Sequence, residues 1–141
     1  MTTTTAHRAL IVAGTVTAAV AVNLILWLIG KAAGATFTYL SNGETFTSTP
    51  ILVIAETAVP LAAGLTLATL AAVKWPRIIP AAQMIGVLLA TVTAAGALLT
   101  DFDSTASRLS LALMHVVVAA AVFLGLRAIS QTLQRRALSP A

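Results

Sequence analysis

The sequence predicts an all-α integral membrane protein, a bundle of four transmembrane helices with a short β-hairpin on its outer side. Three observations carry this. Of the 141 residues, 59% are hydrophobic and only 9% charged, whereas a soluble domain carries about 25% charged residues. The apolar residues gather in four stretches, 9–30, 51–73, 78–100 and 107–129, each near the ~20 residues that a hydrocarbon core demands of a helix. Charges fall almost entirely between these stretches, so the chain cannot cover itself with polar surface.

Backbone amides in lipid must be satisfied within their own segment, and long unbroken apolar runs lack the alternation of a barrel strand; the stretches are therefore read as helices. The whole chain is one membrane domain on this reading, with residues 130–141 as a short inner tail. The first stretch follows Arg8 and ends near Ala33-Gly34-Ala35, a pattern shared with cleaved leaders. Its apolar run is about 22 residues, longer than the about 7–15 of a leader, so it is expected to stay as a span.

Between the first two stretches, residues 36–48 have strand character. Phe37-Thr38-Tyr39-Leu40 and Thr45-Phe46-Thr47 flank Ser41-Asn42-Gly43-Glu44, and Asn-Gly suits a type I′ turn because both residues tolerate positive φ. The expected register sets Tyr39 opposite Phe46, with Phe37 on the same face of the ribbon. Such a hairpin is marginal alone, so it should pack on the loop 101–106 or on the helix ends.

In the second stretch Pro60 lies inside the helix and should kink it, while Pro80 falls in the first turn of the third, where its missing N–H costs little. The turn Lys74-Trp75-Pro76-Arg77 is short and should pair the second and third helices as antiparallel neighbours. Gly14 with Ala18, Gly64 with Ala68, and Ala95 with Gly96 are candidate close-contact positions.

Charge sets the expected orientation. Arg8, Lys74, Arg77, Arg127, Arg135 and Arg136 lie on one side, Lys31 and Arg108 with all four acids on the other. The positive-inside rule puts the first set, and both ends of the chain, in the cytoplasm of a cell whose plasma membrane holds the protein. Trp27 and Trp75 sit where indole rings favour the headgroup region. Membrane lipids are the expected partners, with a partner membrane protein or a second copy also open.

The absence of cysteine excludes disulfides and thiolate metal sites. No cofactor is expected, and no His-x-x-x-His or Glu-x-x-His pair marks a metal site. The basic residues form no patch interleaved with aromatics, so nucleic acid is not an expected partner despite a pI near 10.8.

Polar residues inside spans are costly and usually face a site or an internal partner. Asn23, Glu56 and His115 qualify, at roughly 10, 8 and 12 Å below the outer helix ends at 1.5 Å per residue. All three can meet in the outer half of the bundle. Arg108 and His115 are almost two turns apart and share a helix face. Asn23, Glu56, Arg108 and His115 are thus the candidate ligand-binding residues, with Asn23 alternatively serving as interhelical glue and His115 as a neutral imidazole bonded to Asn23 or a backbone carbonyl. For the outer loop two arrangements are open: Asp103 or Ser104 caps the fourth helix while Asp101 pairs with Arg108, or Arg108 pairs with Glu56 across helices.

The stretch Asp101-x-Asp103-x-x-x-x-Arg108-Leu109-x-Leu111-Ala112-Leu113-Met114-His115-Val116-Val117 resembles one found in an uncharacterised family of small bacterial four-helix membrane proteins. The Thr-rich start, the Thr49-Pro50 end of the outer loop and the Lys74-Trp75-Pro76-Arg77 turn extend the likeness over essentially the whole chain. The resemblance implies the four-helix architecture and no activity, substrate or cofactor.

The expected function is that of a non-enzymatic multi-pass protein whose outward-facing polar cluster binds a small ligand, a lipid headgroup or a partner protein. The alternative is a proton-coupled transporter or channel component acting as an oligomer, and after it an intramembrane enzyme, for which no nucleophile motif accompanies Glu56 and His115.

Overall fold

The computed structural model of the protein describes residues 3–41 and 43–138. In chain order these form α1 (Thr3–Ala32), β1 (Thr38–Ser41), β2 (Glu44–Thr47), α2 (Pro50–Lys74), α3 (Ile78–Leu99) and α4 (Thr105–Leu138). Each helix contains a segment long and apolar enough to cross a membrane. Successive passes alternate in direction, so the bundle has a hairpin end, carrying β1, β2 and the α3–α4 loop, and a turn end, carrying the α2–α3 turn, the start of α1 and the end of α4.

Local signals explain where the elements stop. α1 closes with Gly34 at φ +86°, and the Ala35 N–H donates back to the Gly30 carbonyl (2.8 Å) while Gly34 N–H donates to that of Lys31 (3.1 Å). This double bond pattern satisfies carbonyls that a helix end would leave open. Thr49 caps α2 by accepting from the Leu52 N–H, and Pro50 stands at the first helical position, where no N–H is missed. α2 then runs on through Pro60 to Lys74.

Ser104 caps α4, its hydroxyl accepting from the Ser107 N–H at 3.1 Å. Asp103, the other capping candidate, instead accepts a hydrogen bond from the Thr36 hydroxyl, because the α1–β1 loop crosses directly beside it. Ser104→Ala should therefore lower stability by about 1 kcal/mol, measurable by reversible unfolding in mixed detergent micelles. At its other end α4 continues well past residue 129: the segment expected as a tail is helical to Leu138. The polar run after Ile129 has ordinary helix propensity, and Leu133 still packs on the core, so leaving the apolar stretch does not end the helix.

β1 and β2 form an antiparallel pair with Tyr39 opposite Phe46 and Ser41 opposite Glu44. Gly43 takes φ +81°, as the second position of a type I′ turn requires; its partner in the turn, Asn42, lies outside the described residues. The ribbon is held down from below. Tyr39 bridges to Phe102, their rings 5.1 Å apart, and the Asp103 N–H donates to the Thr38 carbonyl at 3.2 Å.

Phe37 does not share the ribbon face with Tyr39. Its φ of +59° turns it out of the strand path, and it is fully buried among the helix ends, stacked on Trp27 at 5.8 Å. Its N–H donates to the buried Ser107 hydroxyl (2.9 Å), and its carbonyl accepts from the Ser48 N–H (2.9 Å).

The helices follow one another around the bundle in the order α2, α1, α4, α3. The expected α2–α3 pair is not formed along its length: α3 packs mainly on α4, and α2 mainly on α1. The cause is a row of small residues on α3. Ala90, Ala94 and Ala97 are buried, and a Cβ on Gly86 would come within 2.6 Å of Val122, so α3 lies close against α4 and the short turn only tethers α2 and α3 at one end. Of the close-contact residues read from spacing, Ala68 packs on the core, but the three glycines do not serve that role. Gly14, Gly64 and Gly96 have open space where a Cβ would be, whereas the tight approaches are at Gly30, Gly86 and Gly125.

Two apolar clusters fill the interior, one toward the turn end around Leu65, Leu126 and Ile129, the other toward the hairpin end around Phe37, Val53 and Met114. Elsewhere the helices present apolar side chains outward, Leu10, Leu67, Leu88, Leu99 and Leu124 among them, each at least 60% exposed. A bilayer is the solvent that tolerates such a surface over this area.

Candidate functional site

Where α2 and α3 part, a cleft of about 760 Å³ opens on the side of the bundle. α2 forms one wall from Val53 to Ala71, α3 the other from Ile78 to Thr93, and Leu111, Met114, His115, Val118, Val122 and Leu126 of α4 form the floor, with Asn23 of α1 at the back. Leu67 and Ile85 stand on opposite rims, each more than 60% exposed, so the opening faces the lipid rather than either aqueous side.

The lining is divided by polarity along its length. From Leu61 to the turn end it is apolar apart from backbone, while Asn23, Glu56, Thr57, Thr93 and His115 lie in the hairpin half. Three of the four candidate ligand-binding residues therefore share one cavity. Arg108 does not line it: its guanidinium donates to the Asp101 carboxylate and to the Phe102 carbonyl, each at 3.1 Å. These acceptors are close in sequence and lie beside the first turn of α4. Glu56, on another helix, forms no ion pair with Arg108, and the exposed Arg108–Asp101 pair is worth at most about 1 kcal/mol.

Asn23 is 1% exposed and donates through Nδ2 to the Thr57 hydroxyl at 2.9 Å. Its Oδ1 is buried without a partner. Turning the amide over exchanges the two atoms but still leaves one end bonded to Thr57 and the other unpaired at the back of the cleft. Thr57 was not among the residues singled out from sequence, since a threonine in an apolar helix commonly bonds its own backbone. The Asn23–Thr57 bond links α1 to α2, and a double-mutant cycle of Asn23→Ala and Thr57→Ala should give a coupling of about 0.6 kcal/mol.

His115 is half-buried, and its Nδ1 lies 2.8 Å from the Leu111 carbonyl one turn back. A carbonyl carries no proton, so Nδ1 donates; in the neutral ring Nε2 is then an acceptor. Glu56 is exposed on the cleft wall, about 9 Å along α2 from Pro50 at 1.5 Å per residue. Four residues on, Pro60 has no N–H, so the Glu56 carbonyl loses the donor that a helix would bring to it. Thr93 donates its hydroxyl to the Leu89 and Ala90 carbonyls, both at 3.0 Å. Among the described residues there is no group of three or more His, Cys, Asp or Glu placed to hold a metal ion.

Compared with known proteins, residues 3–132 match the model of a family of unknown function, DUF6069. No curated protein and no solved structure matches the chain.

Proposed function

We propose that this chain, which belongs to DUF6069 and takes no activity from that membership, is a non-enzymatic protein of the cell membrane that holds an amphipathic small molecule in the lateral cleft between α2 and α3. The observation that carries this reading is the division of the cleft: a long apolar trough that opens sideways to lipid and ends, in its hairpin half, at Asn23, Glu56 and His115.

Physical chemistry favours a guest with two characters. Lipid tails are as apolar as the trough, so an apolar body gains little by moving from bilayer to cleft. Selection must come from shape and from the polar end, where an unpaired amide atom and an unpartnered carboxyl are costly in hydrocarbon until something bonds them. The basic residues Arg8, Lys74, Arg77, Arg127, Arg135 and Arg136 favour a cytoplasmic turn end under the positive-inside rule, an orientation that would set the polar half of the cleft in the outer leaflet. Among the described residues that line it, the trough toward the turn end holds no chain of ionisable groups along which a proton could cross.

The experiment is native mass spectrometry of protein carried through progressive delipidation. One amphiphile per chain should persist on the wild type and be lost when the trough is filled by Gly64→Leu. Equal retention by both would overturn the reading.

A further inference from the structure

The hydrogen-bonding groups in the hairpin half of the cleft are unequally divided between donors and acceptors. The Thr93 hydroxyl proton is committed to backbone carbonyls, and the Asn23 amide donates to Thr57. The His115 ring spends its Nδ1 proton on the Leu111 carbonyl, which leaves Nε2 to accept. What remains is mostly acceptors, the Glu56 carboxyl, the Glu56 carbonyl deprived of a donor by Pro60, His115 Nε2 and the buried Asn23 Oδ1 with no partner, against the Thr57 hydroxyl proton and the second N–H of the Asn23 amide. The one acid among the described lining residues is Glu56. Cations at this end of the bundle are engaged elsewhere, Lys31 over the Trp27 ring at 5.9 Å and Arg108 on Asp101 and Phe102. Neither lines the cleft, and among the described residues no lysine or arginine does.

We infer that the guest of this cleft is a hydrophobic amine, an alkyl or ring body ending in a protonated nitrogen and carrying no phosphate, whose nitrogen is bound by the Glu56 carboxyl. The inference rests on the lateral-cleft reading above and adds the chemistry of the headgroup. A protonated amine is all donor and positive, the complement of an acceptor-rich site with one unpaired acid. A phospholipid such as phosphatidylethanolamine carries the same nitrogen but would draw its phosphate about 9 Å below the start of α2, into a cleft with no cation to meet it. A fatty acid would set carboxylate against carboxyl.

The test uses full-length protein in phosphatidylcholine nanodiscs with a fluorescent aliphatic probe in the cleft, displaced by tetradecylamine, tetradecanol, tetradecanoate or added phosphatidylethanolamine. Concentrations are counted per lipid. Tetradecylamine should displace the probe at a concentration on the order of tenfold lower than tetradecanol, with tetradecanoate weaker than both and phosphatidylethanolamine no better than the host lipid. Glu56 is exposed and has no hydrogen bond or ion pair to another described side chain, so Glu56→Gln should fold normally. It should bring the amine to the level of the alcohol while leaving the alcohol unchanged.

Equal displacement by amine and alcohol on the wild type, or an amine preference that survives Glu56→Gln, would overturn the headgroup assignment and leave the cleft reading intact. Displacement by phosphatidylethanolamine as strong as by the amine would overturn the exclusion of phosphate. A probe that binds Gly64→Leu as well as wild type would overturn both the inference and the reading beneath it.

Discussion

Phe37→Ala should lower the free energy of unfolding by about 3–5 kcal/mol, the range for removing a buried aromatic ring. The ring is fully buried, stacks on Trp27 and lies so close to Gly30 that a Cβ there would come within 2.7 Å of it. Trp27, its stacking partner, is held in place by its indole N–H on the Ser48 carbonyl (3.2 Å), which restrains that ring from moving in to fill the space. Phe37 also holds a left-handed φ of +59°, which a non-glycine residue tolerates only when its surroundings enforce it. With the ring gone, the loop that joins α1 to the ribbon loses its anchor. Phe46→Ala is the control: that ring is 43% exposed and contributes a single stacked contact to Tyr39 at 5.6 Å, so its loss should cost about 1 kcal/mol. Reversible unfolding in mixed micelles reads both, and similar losses for the two would refute the assignment of Phe37 as the anchor.

The second large effect is expected from Gly64→Leu, on binding rather than on stability. Gly64 lines the cleft, and a Cβ built on it meets nothing within 4 Å, so a leucine there starts into open space and should occupy part of the trough. Replacing glycine inside a helix favours the fold by about 1 kcal/mol through backbone propensity. The variant should therefore unfold no earlier than wild type while binding an aliphatic guest at least about tenfold more weakly, the effect of one unfavourable 1.4 kcal/mol change. A fold that is intact and a site that is lost cannot both follow from general destabilisation.

The fold was legible because its determinants are local. Four apolar stretches of spanning length, the Ser41–Glu44 turn and the Tyr39–Phe46 register depend on composition and on short-range geometry. Which side of each helix turns inward was not legible. In a bilayer the lipid-facing and core-facing sides are equally apolar, so the periodicity that orients a helix in water is missing. That is why Gly64 read as a packing residue although it faces open space, and why α2 and α3 read as a pair although α3 lies on α4. Depth, by contrast, follows from counting residues, and Asn23, Glu56 and His115 do share one cavity. Arg108 was placed with them by its helix face, yet its long side chain reaches acceptors in the adjoining loop. Asp103 was drawn away from the α4 cap by Thr36, a residue distant in sequence whose approach no local pattern announces.

The lateral cleft itself is tested most directly by photolabelling. Protein in a bilayer containing a long-chain alcohol with a diazirine on its alkyl chain would be irradiated and the adducts located by peptide mass spectrometry. Adducts should concentrate on Leu61, Ile85, Leu89 and Val122, which line the cleft, and should fall in Gly64→Leu. Labelling spread evenly over these residues and over outward-facing Leu10, Leu28 and Leu124, with no change in the variant, would contradict the existence of a binding cleft.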